Sequence, residues 1–180
     1  MDSKHEFHQR VEIVEYDENW PVRFEEEARK IKKAMKMLHA PYQIHHVGGT
    51  SVPGMASKPI IDILVTVGQE HIDTAASILN MSCDYYYFGE CGRPGRIFMS
   101  KGASAQDAIY LHLTTKNNKV ALDQLAFHDI LMNHPALAAE YVRVKKAAAA
   151  EYPRDRGNYQ NAKRPFIESV LYTETGGENL

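Results

Sequence analysis

The sequence predicts an α/β or α+β fold, in which a mixed β-sheet is flanked by helices and followed by a helical C-terminal third. Two observations lead to this class. From residue 42 to residue 115, short runs rich in β-branched and aromatic residues alternate with turns and with one helical pattern. Beyond Lys119, apolar residues recur at helical spacing almost to the end of the chain.

Length and composition favour a single domain over residues 1–175, with residues 176–180 as a disordered tail. The chain has 180 residues, of which 44% are hydrophobic and 24% charged, and its net charge is −2. This balance implies no nucleic-acid partner, and no apolar run approaches the roughly 20 residues that span a bilayer. We therefore expect a cytoplasmic protein with no membrane partner, and the composition is compatible with a homo-oligomer.

The N-terminal half predicts two helices and the first strands of the sheet. Residues 11–16 form either a strand or an extended arm, and Asn19 and Pro21 mark the start of a helix. The acidic residues 25–27 of that helix are interpreted as part of a solvated face. After Pro41, the runs YQIHHV and PIIDILVTV are predicted strands, and EHIDTAASILNM is a predicted helix.

Three more strands and three helices complete the prediction. The strands are DYYYFGE, RIFMSK and AIYLHLTT, separated by turns that contain Gly and Pro. The helices are KVALDQLAFHDILMN, a segment that begins at Pro135 and continues through ALAAEYVRVKKAAAAEY, and NYQNAKRPFIESVLYT. Pro165 is expected to kink or delay the last helix.

The most informative stretch is HHVGGTSVPGMASKPIIDILV, residues 45–65. A Walker phosphate loop is rejected because Met55 and Ala56 stand where Lys and Ser or Thr are required. A serine-hydrolase elbow is disfavoured because the final glycine of its G-x-S-x-G pattern is missing after Ser51. Neither of these two nucleophile or phosphate motifs therefore explains the glycines.

A third pattern fits the same stretch. Val47, Gly48 and Gly49 end a predicted strand, and Asp62 follows thirteen residues after Gly49 inside an apolar strand. This arrangement resembles the signature of the polymerase-β-like nucleotidyltransferase superfamily, in which an hG[GS] motif precedes a D-h-[DE] strand. Glycines let the backbone approach a triphosphate, and strand carboxylates hold Mg²⁺.

The resemblance can be narrowed to one family. GGTSVPGMASKPIIDILV is similar to the GrpB signature, usually written GSTSVPG or GSTAVPG followed by KPIIDI. Further similarity is found in YFGECGRPGRIF, LHL, LAFHDILMNHPALAAEYVRVK and NYQNAKRPFI, so that it covers nearly the whole chain from about Val11 to Leu171. The resemblance implies a nucleotidyltransferase-like fold. Some relatives are fused to dephospho-CoA kinase, which adds coenzyme A to the implied ligands.

The activity that this resemblance implies is the binding of a nucleoside triphosphate and nucleotidyl transfer to an unknown acceptor, with Mg²⁺ or Mn²⁺ as cofactor. The alternative is a non-catalytic module that binds a nucleotide or coenzyme A. A scaffold protein is a third class. In the first two cases the partner is a small phosphorylated molecule.

The predicted catalytic and metal-binding residues are Asp62, Glu90 and His112. A carboxylate on an apolar strand is costly unless it is paired or bound to metal, so Asp62 is either functional or ion-paired, for example with Lys58. Leu64 occupies the place of the second carboxylate. The missing ligands must then come from the other two predicted residues or from Asp107. His112 reaches this site if its strand lies beside the strand of Asp62.

The predicted phosphate-binding residues come from the glycine-rich turn and from the family resemblance. The turn offers exposed N–H groups and hydroxyls, whereas Arg96 and the residues of the C-terminal helices are candidates because the resemblance includes them. The full set is Gly48, Gly49, Thr50, Ser51, Lys58, Arg96, Lys145, Tyr159 and Lys163.

Four further residues carry weaker signals. Strand alternation places His45 and His46 on opposite sides of the sheet, so the two are not expected to join one site. His128 and Met132 stand where the family typically has arginines. Either the ligand differs from that of close relatives, or these two positions are on the surface.

Overall fold

Five strands form one mixed sheet in the computed structural model, which describes residues 10–174. The strands are β1 Tyr42–Val47, β2 Ile61–Val67, β3 Tyr86–Tyr87, β4 Ile97–Lys101 and β5 Ile109–Thr115. Their order is β1-β2-β5-β4-β3. β2 and β5 are parallel at the centre, and the other neighbouring pairs are antiparallel. The fold class predicted from the sequence is confirmed, and the predicted tail lies outside the described residues.

Between residues 10 and 174, five α-helices accompany the sheet: α1 Trp20–Met35, α2 Ile72–Cys83, α3 Lys119–Asn133, α4 Pro135–Glu151 and α5 Arg156–Glu174. The predicted bounds of α3 are confirmed, because both of its ends carry strong local signals. Oδ1 of Asn118 accepts a hydrogen bond from the amide of Val120 at 2.8 Å and so caps the first turn. Pro135 begins the next helix. Between residues 10 and 174, no helix combines the length and the apolar character needed to cross a bilayer.

The helices α1 and α2 cover one face of the sheet and form the main hydrophobic core with it. Alternate residues of β2 point to this face. Burying each aliphatic side chain stabilises the fold by about 1.5–3 kcal/mol. The strand residues of this core include Ile61, Ile63, Val65, Met99 and Leu111.

The opposite face of the sheet carries polar side chains and meets the C-terminal helices. Leu64 packs there on Ala121 of α3. Val52 and Met55, from the turn between β1 and β2, are buried against Tyr141 of α4. The turn that follows β1 therefore packs on the C-terminal helices, which brings together residues that are far apart in the sequence.

Three elements differ from the sequence prediction in detail. Residues 11–16 are an extended arm rather than a strand, in which Val14 makes an isolated β-bridge to Ser57. The strand predicted over DYYYFGE is reduced to two residues, since the chain turns at Gly89, whose φ is 70°. Pro165 does not delay the last helix, because α5 begins at Arg156 and continues through this proline.

Glu27 contradicts the interpretation of the acidic run as a solvated face. Its residue is 1% exposed. Its carboxylate accepts a hydrogen bond from the Tyr85 hydroxyl at 2.9 Å and pairs with Lys101. Successive helix residues are rotated by about 100°, so the third acidic residue faces the core while Glu25 and Glu26 remain exposed.

Candidate phosphate-binding site

The turn between β1 and β2 brings the backbone close to charged side chains. Gly48 has a φ of 77°, in the left-handed region that favours glycine, and it packs directly against the carboxylate of Asp62. A Cβ on Gly49 would collide with the Ser57 hydroxyl and lie 3.0 Å from Nζ of Lys145. Both glycines are therefore required for the close approach of the turn to these groups.

The two hydroxyls of the turn bind the protein itself. Thr50 is buried, and its Oγ1 donates to the carbonyl of Ile60 at 3.1 Å, so the 3.0 Å contact with Nε2 of His46 is a hydrogen bond that the imidazole donates. Ser51 is half-buried, and its Oγ donates to the carbonyl of Gly48 at 2.6 Å. Thr50, which was predicted to bind phosphate, thus fixes the turn to the start of β2.

Asp62, His112 and Arg96 form a hydrogen-bonded chain across the sheet. The predicted neighbourhood of the strands is confirmed, since β2 and β5 are paired and Nε2 of His112 lies 3.5 Å from Oδ1 of Asp62. Nη1 of Arg96 lies 3.2 Å from Nδ1 of His112. A guanidinium can only donate, so Nδ1 carries the lone pair and Nε2 carries the proton. His112 is therefore a neutral donor to Asp62.

This chain sets the charge of both titratable groups. Burial lowers the pKa of His112, against the opposing effect of Asp62, and the guanidinium of Arg96 lowers it further. Burial alone would raise the pKa of Asp62, but the hydrogen bond from His112 and the positive charge of Lys58 hold it below its ordinary value. The Asp62 side chain is 29% exposed. It is thus an ionised carboxylate that a ligand can reach.

The predicted metal ligands are not assembled around Asp62. Neither nitrogen of His112 has a free lone pair, and Leu64 offers no oxygen. Glu90 is exposed, and its Oε1 instead accepts from the amide of Gly95 at 2.6 Å. Among residues 10–174, no group of three or more His, Cys, Asp or Glu side chains is arranged to hold a metal ion. The Mg²⁺ or Mn²⁺ that the fold family implies needs several oxygen ligands and does not fit this donor set.

Asp107, the other alternative source of a ligand, also lies apart from this chain. Its carboxylate accepts a hydrogen bond from the Ser104 hydroxyl at 2.7 Å, within the exposed loop before β5. The start of β5 beyond it pairs with the start of β2 at Ile61 and not with the turn. Asp62 therefore gains no second carboxylate from this loop.

Cationic and aromatic side chains alternate along the face of the sheet that carries Asp62. The guanidinium carbon of Arg96 lies 5.3 Å from the ring centre of Phe98, and that of Arg156 lies 5.6 Å from the same ring. Arg156 also lies 4.8 Å from the ring centre of Tyr110, and Nζ of Lys58 lies 6.0 Å from it. These distances are within the roughly 6 Å range of cation–π attraction.

The alternation continues onto the C-terminal helices. The ring centre of Tyr159 lies 5.4 Å from Nζ of Lys58 and 4.3 Å from Nζ of Lys163. The ring centre of Tyr141 lies 6.0 Å from Nζ of Lys163 and 5.0 Å from Nζ of Lys145. We call the whole set the cation–aromatic row: Arg96, Phe98, Arg156, Tyr110, Lys58, Tyr159, Lys163, Tyr141 and Lys145.

The five cations of the row are not balanced by ion pairs. No ion pair within residues 10–174 involves any of them. Burial lowers the pKa of Lys163 well below its ordinary value, and the charges of Lys58 and Lys145 add to this effect. Burial likewise lowers the pKa of Lys145 to about 7 and that of Lys58 to about 8. Aromatic faces attract cations without neutralising them, and burial disfavours the charged form of the three lysines, so the positive charge of this face increases when a bound anion lets the lysines take up protons.

Four members of the row were not predicted as site residues: Phe98, Tyr110, Tyr141 and Arg156. One signal for Tyr141 is present in the sequence. Tyr141 precedes Lys145 by four residues on α4, as Tyr159 precedes Lys163 on α5, and this spacing places each ring beside its lysine. Arg156 carries no such signal, since the surrounding segment RDRG is typical of a solvated turn.

A cavity of about 550 Å³ lies at the edge strand β1. Both His45 and His46 line it, together with Phe24 and His128. The expectation that the two adjacent histidines do not join one binding site stays a prediction, since bordering one open cavity does not make a site of them. His46 stacks on Phe24 with 4.6 Å between ring centres, and burial lowers its pKa to about 4. The neutral imidazole of His46 therefore stabilises the turn through its hydrogen bond to Thr50.

His128 and Met132 differ in their surroundings. Nδ1 of His128 lies 2.9 Å from Oγ of Ser51, and this histidine is half-buried. Met132 is 46% exposed. The surface interpretation therefore holds for Met132, whereas His128 contacts the candidate phosphate-binding turn.

The sheet order and the helices around it define a nucleotidyltransferase-like fold. A solved structure of the Cid1 poly(U) polymerase bound to MgATP superposes with a TM-score of 0.51 at 11% identity, over 77% of this chain and 44% of that one. At this identity the similarity concerns the fold alone.

Within that class, the chain belongs to the GrpB family, whose model, described as GrpB protein, matches residues 10–173. The UPF0157 protein YqkA of Bacillus subtilis is 34% identical over 163 residues, which are 89% of this chain and 46% of that protein. The crystal structure of the conserved protein GrpB from Enterococcus faecalis has a TM-score of 0.76 at 31% identity and covers 91% of this chain and 99% of that one. The chain thus spans about half the length of its Bacillus relative, and the resemblance seen in the sequence is confirmed.

Proposed function

We propose that the protein binds the phosphate chain of a nucleoside triphosphate, or of a related phosphorylated molecule, between the turn of residues 48–51 and the cation–aromatic row. The observation that carries this proposal is the set of five cations without ion-pair partners among the described residues. Buried charge is costly unless it is compensated, and phosphate oxygens would compensate it through charge-assisted hydrogen bonds. Nζ of Lys145 donates to the carbonyl of Ala56 at 2.6 Å and lies beside Gly49, so its remaining N–H groups are at the turn itself.

Nucleotidyl transfer is a second candidate, which the ionised and partly exposed carboxylate of Asp62 favours. The hydroxyl oxygen of an acceptor would form a bond to the α-phosphorus. The bond from that phosphorus to the oxygen bridging to the β-phosphate would break, and pyrophosphate would leave. Asp62 would take the proton of the hydroxyl, and the ammonium groups of the row would offset the charge on pyrophosphate.

A non-catalytic module that binds a nucleotide or coenzyme A is the alternative to transfer, with the same binding site. Leu64 supports it, because it supplies no second carboxylate. His112 supports it too, because its lone pair is engaged with Arg96 and its proton with Asp62. The two candidates share the binding step and differ in whether Asp62 acts as a base.

A ligand panel separates these candidates. Nucleoside triphosphates and coenzyme A, each with and without Mg²⁺ or Mn²⁺, are tested by thermal shift and by pyrophosphate release on the wild type and on Asp62→Asn. We expect nucleotide binding in both proteins, since Asp62→Asn removes a negative charge beside the phosphates. Pyrophosphate release that Asp62→Asn abolishes supports transfer, and binding without release supports the module. A protein that binds none of these ligands refutes both.

A further inference from the structure

The charges around Asp62 bear on the form in which a phosphate chain would bind. In metal-dependent sites, divalent ions coordinated by carboxylates neutralise the phosphates. Here the positive charges of Lys58 and Arg156 act on Asp62, which is a single carboxylate. These groups attract a phosphate chain and repel a divalent cation. Side-chain cations thus act on the carboxylate that the sequence resemblance assigned to a metal ion.

The charge of the row matches that of a free triphosphate. Its five cations, offset by the one carboxylate of Asp62, leave four positive charges when the lysines are protonated. A nucleoside triphosphate without metal carries about four negative charges at neutral pH, two of them on its terminal phosphate. A triphosphate complexed to Mg²⁺ carries only about half of that charge and would leave the row partly uncompensated.

The rings of the row are placed to hold cations rather than to stack on a base. Phe98, Tyr110, Tyr141 and Tyr159 are all buried, and each ring lies within cation–π distance of two of the five cations. Stacking on a base requires an exposed ring face. The row therefore offers contacts to phosphates and none of its rings to a nucleobase.

Arg96 provides an independent observation at the other end of the row. It is 6% exposed, and its Nε is buried without a hydrogen-bond partner in the described residues. Its two other nitrogens donate to His112 and to the carbonyl of Glu90. Unpaired buried donors are rare in folded proteins, so an acceptor oxygen of a ligand near Nε would be stabilising.

Resting on the proposed function, we propose that the cation–aromatic row binds a linear triphosphate in its metal-free form and with little dependence on the attached base. Side-chain cations take the place of the divalent ion of related folds. The ligand class is then a free polyphosphate chain, of which a nucleoside triphosphate is one member.

Isothermal titration calorimetry with inorganic tripolyphosphate, ATP and GTP, in EDTA and in excess Mg²⁺, tests this proposal. We expect all three to bind in EDTA with affinities within about tenfold of one another, and Mg²⁺ to weaken each of them by roughly tenfold or more. Lys163→Met should weaken each by roughly tenfold or more. Arg164→Met removes an exposed charge from the adjacent position of α5 and should change them by less than about threefold. Circular dichroism of both variants establishes that they are folded.

The possible results separate this proposal from the proposed function. ATP binding that requires Mg²⁺ overturns the metal-free site and leaves nucleotide binding in place. Tripolyphosphate binding in EDTA without ATP binding supports the metal-free site and overturns the nucleotide as ligand. Binding of ATP but not GTP refutes the independence from the base. If nothing binds in either buffer, both proposals are wrong.

Discussion

Gly48 and Asp62 occupy adjoining space, because a Cβ at Gly48 would lie 2.6 Å from Oδ2 of Asp62. Gly48 also has a φ of 77°, which side chains other than hydrogen disfavour. Because Gly48 has no side chain, the carboxylate of Asp62 has room to lie beside the turn that follows β1. This contact is a physical reason why the two motifs of the stretch occur together.

Replacing Gly48 by alanine should lower the free energy of unfolding by about 2–3 kcal/mol, through strain at positive φ and displacement of Asp62. Gly54→Ala is a matched control, since Gly54 has a φ of 74° and a Cβ added there would have no neighbouring atom within 4 Å. It should cost only about 1–2 kcal/mol, from strain alone. Urea unfolding measures both variants. Equal losses would contradict the contact between Gly48 and Asp62.

Replacing Glu27 by glutamine should lower the free energy of unfolding by about 3 kcal/mol, because Lys101 then lacks its buried counter-charge. Glu26→Gln changes the preceding, exposed residue of α1 and should change stability by less than about 0.5 kcal/mol. Thermal or urea unfolding compares the two. A similar response of both variants would mean that the acidic run is solvated after all.

Replacing Tyr159 separates the role of its ring from that of its hydroxyl. Tyr159→Phe keeps the aromatic face between Lys58 and Lys163 and should change phosphate affinity by less than about threefold. Tyr159→Leu removes the face and should weaken binding by roughly 3- to 30-fold. Calorimetric titration with ATP measures both. Equal affinities of the Phe and Leu variants would show that the ring does not position the lysines.

Much of the fold could be predicted from local signals, but the row could not. The cap at Asn118 and the proline at position 135 mark the start and the end of α3, and both signals are local in the sequence. The row joins Lys58 to Lys163, more than 100 residues apart, and periodicity shows which side of an element is apolar but not which elements meet. Arg156 was missed for this reason, and the bond that Glu90 accepts from Gly95 was likewise not visible in the sequence pattern.

The affinity for a phosphate ligand should fall as pH rises from about 6 to about 9. The pKa of Lys145 is lowered to about 7 and that of Lys58 to about 8 by burial. Each lysine is charged below its pKa, so attraction for an anion is lost as pH rises through these values. Calorimetry with tripolyphosphate across this range measures the effect. An affinity that stays constant would contradict the role of the two ammonium groups.

Because of these lysines, the free energy of unfolding of the ligand-free protein should rise with pH, whereas the phosphate affinity should fall. An unfolded lysine keeps its proton up to about pH 10.4, so between about pH 7 and pH 10 the unfolded chain holds more protons than the folded one. The contribution of Lys145 to stability therefore rises with pH in this window. Urea unfolding of the wild type and of Lys145→Met checks it. The variant should show a smaller rise, and an unchanged rise would be evidence against the lowered pKa.

The most direct test of the phosphate-binding row is the thermal unfolding of the wild type and of Lys163→Met, with and without ATP in EDTA. Lys163 is buried among cations without an ion-pair partner among the described residues, so its removal should raise the melting temperature of the ligand-free protein. The same change should reduce the stabilisation that ATP gives, while Arg164→Met should alter neither. If Lys163→Met lowers the ligand-free melting temperature and leaves the shift with ATP intact, Lys163 is structural and the row is not a phosphate site.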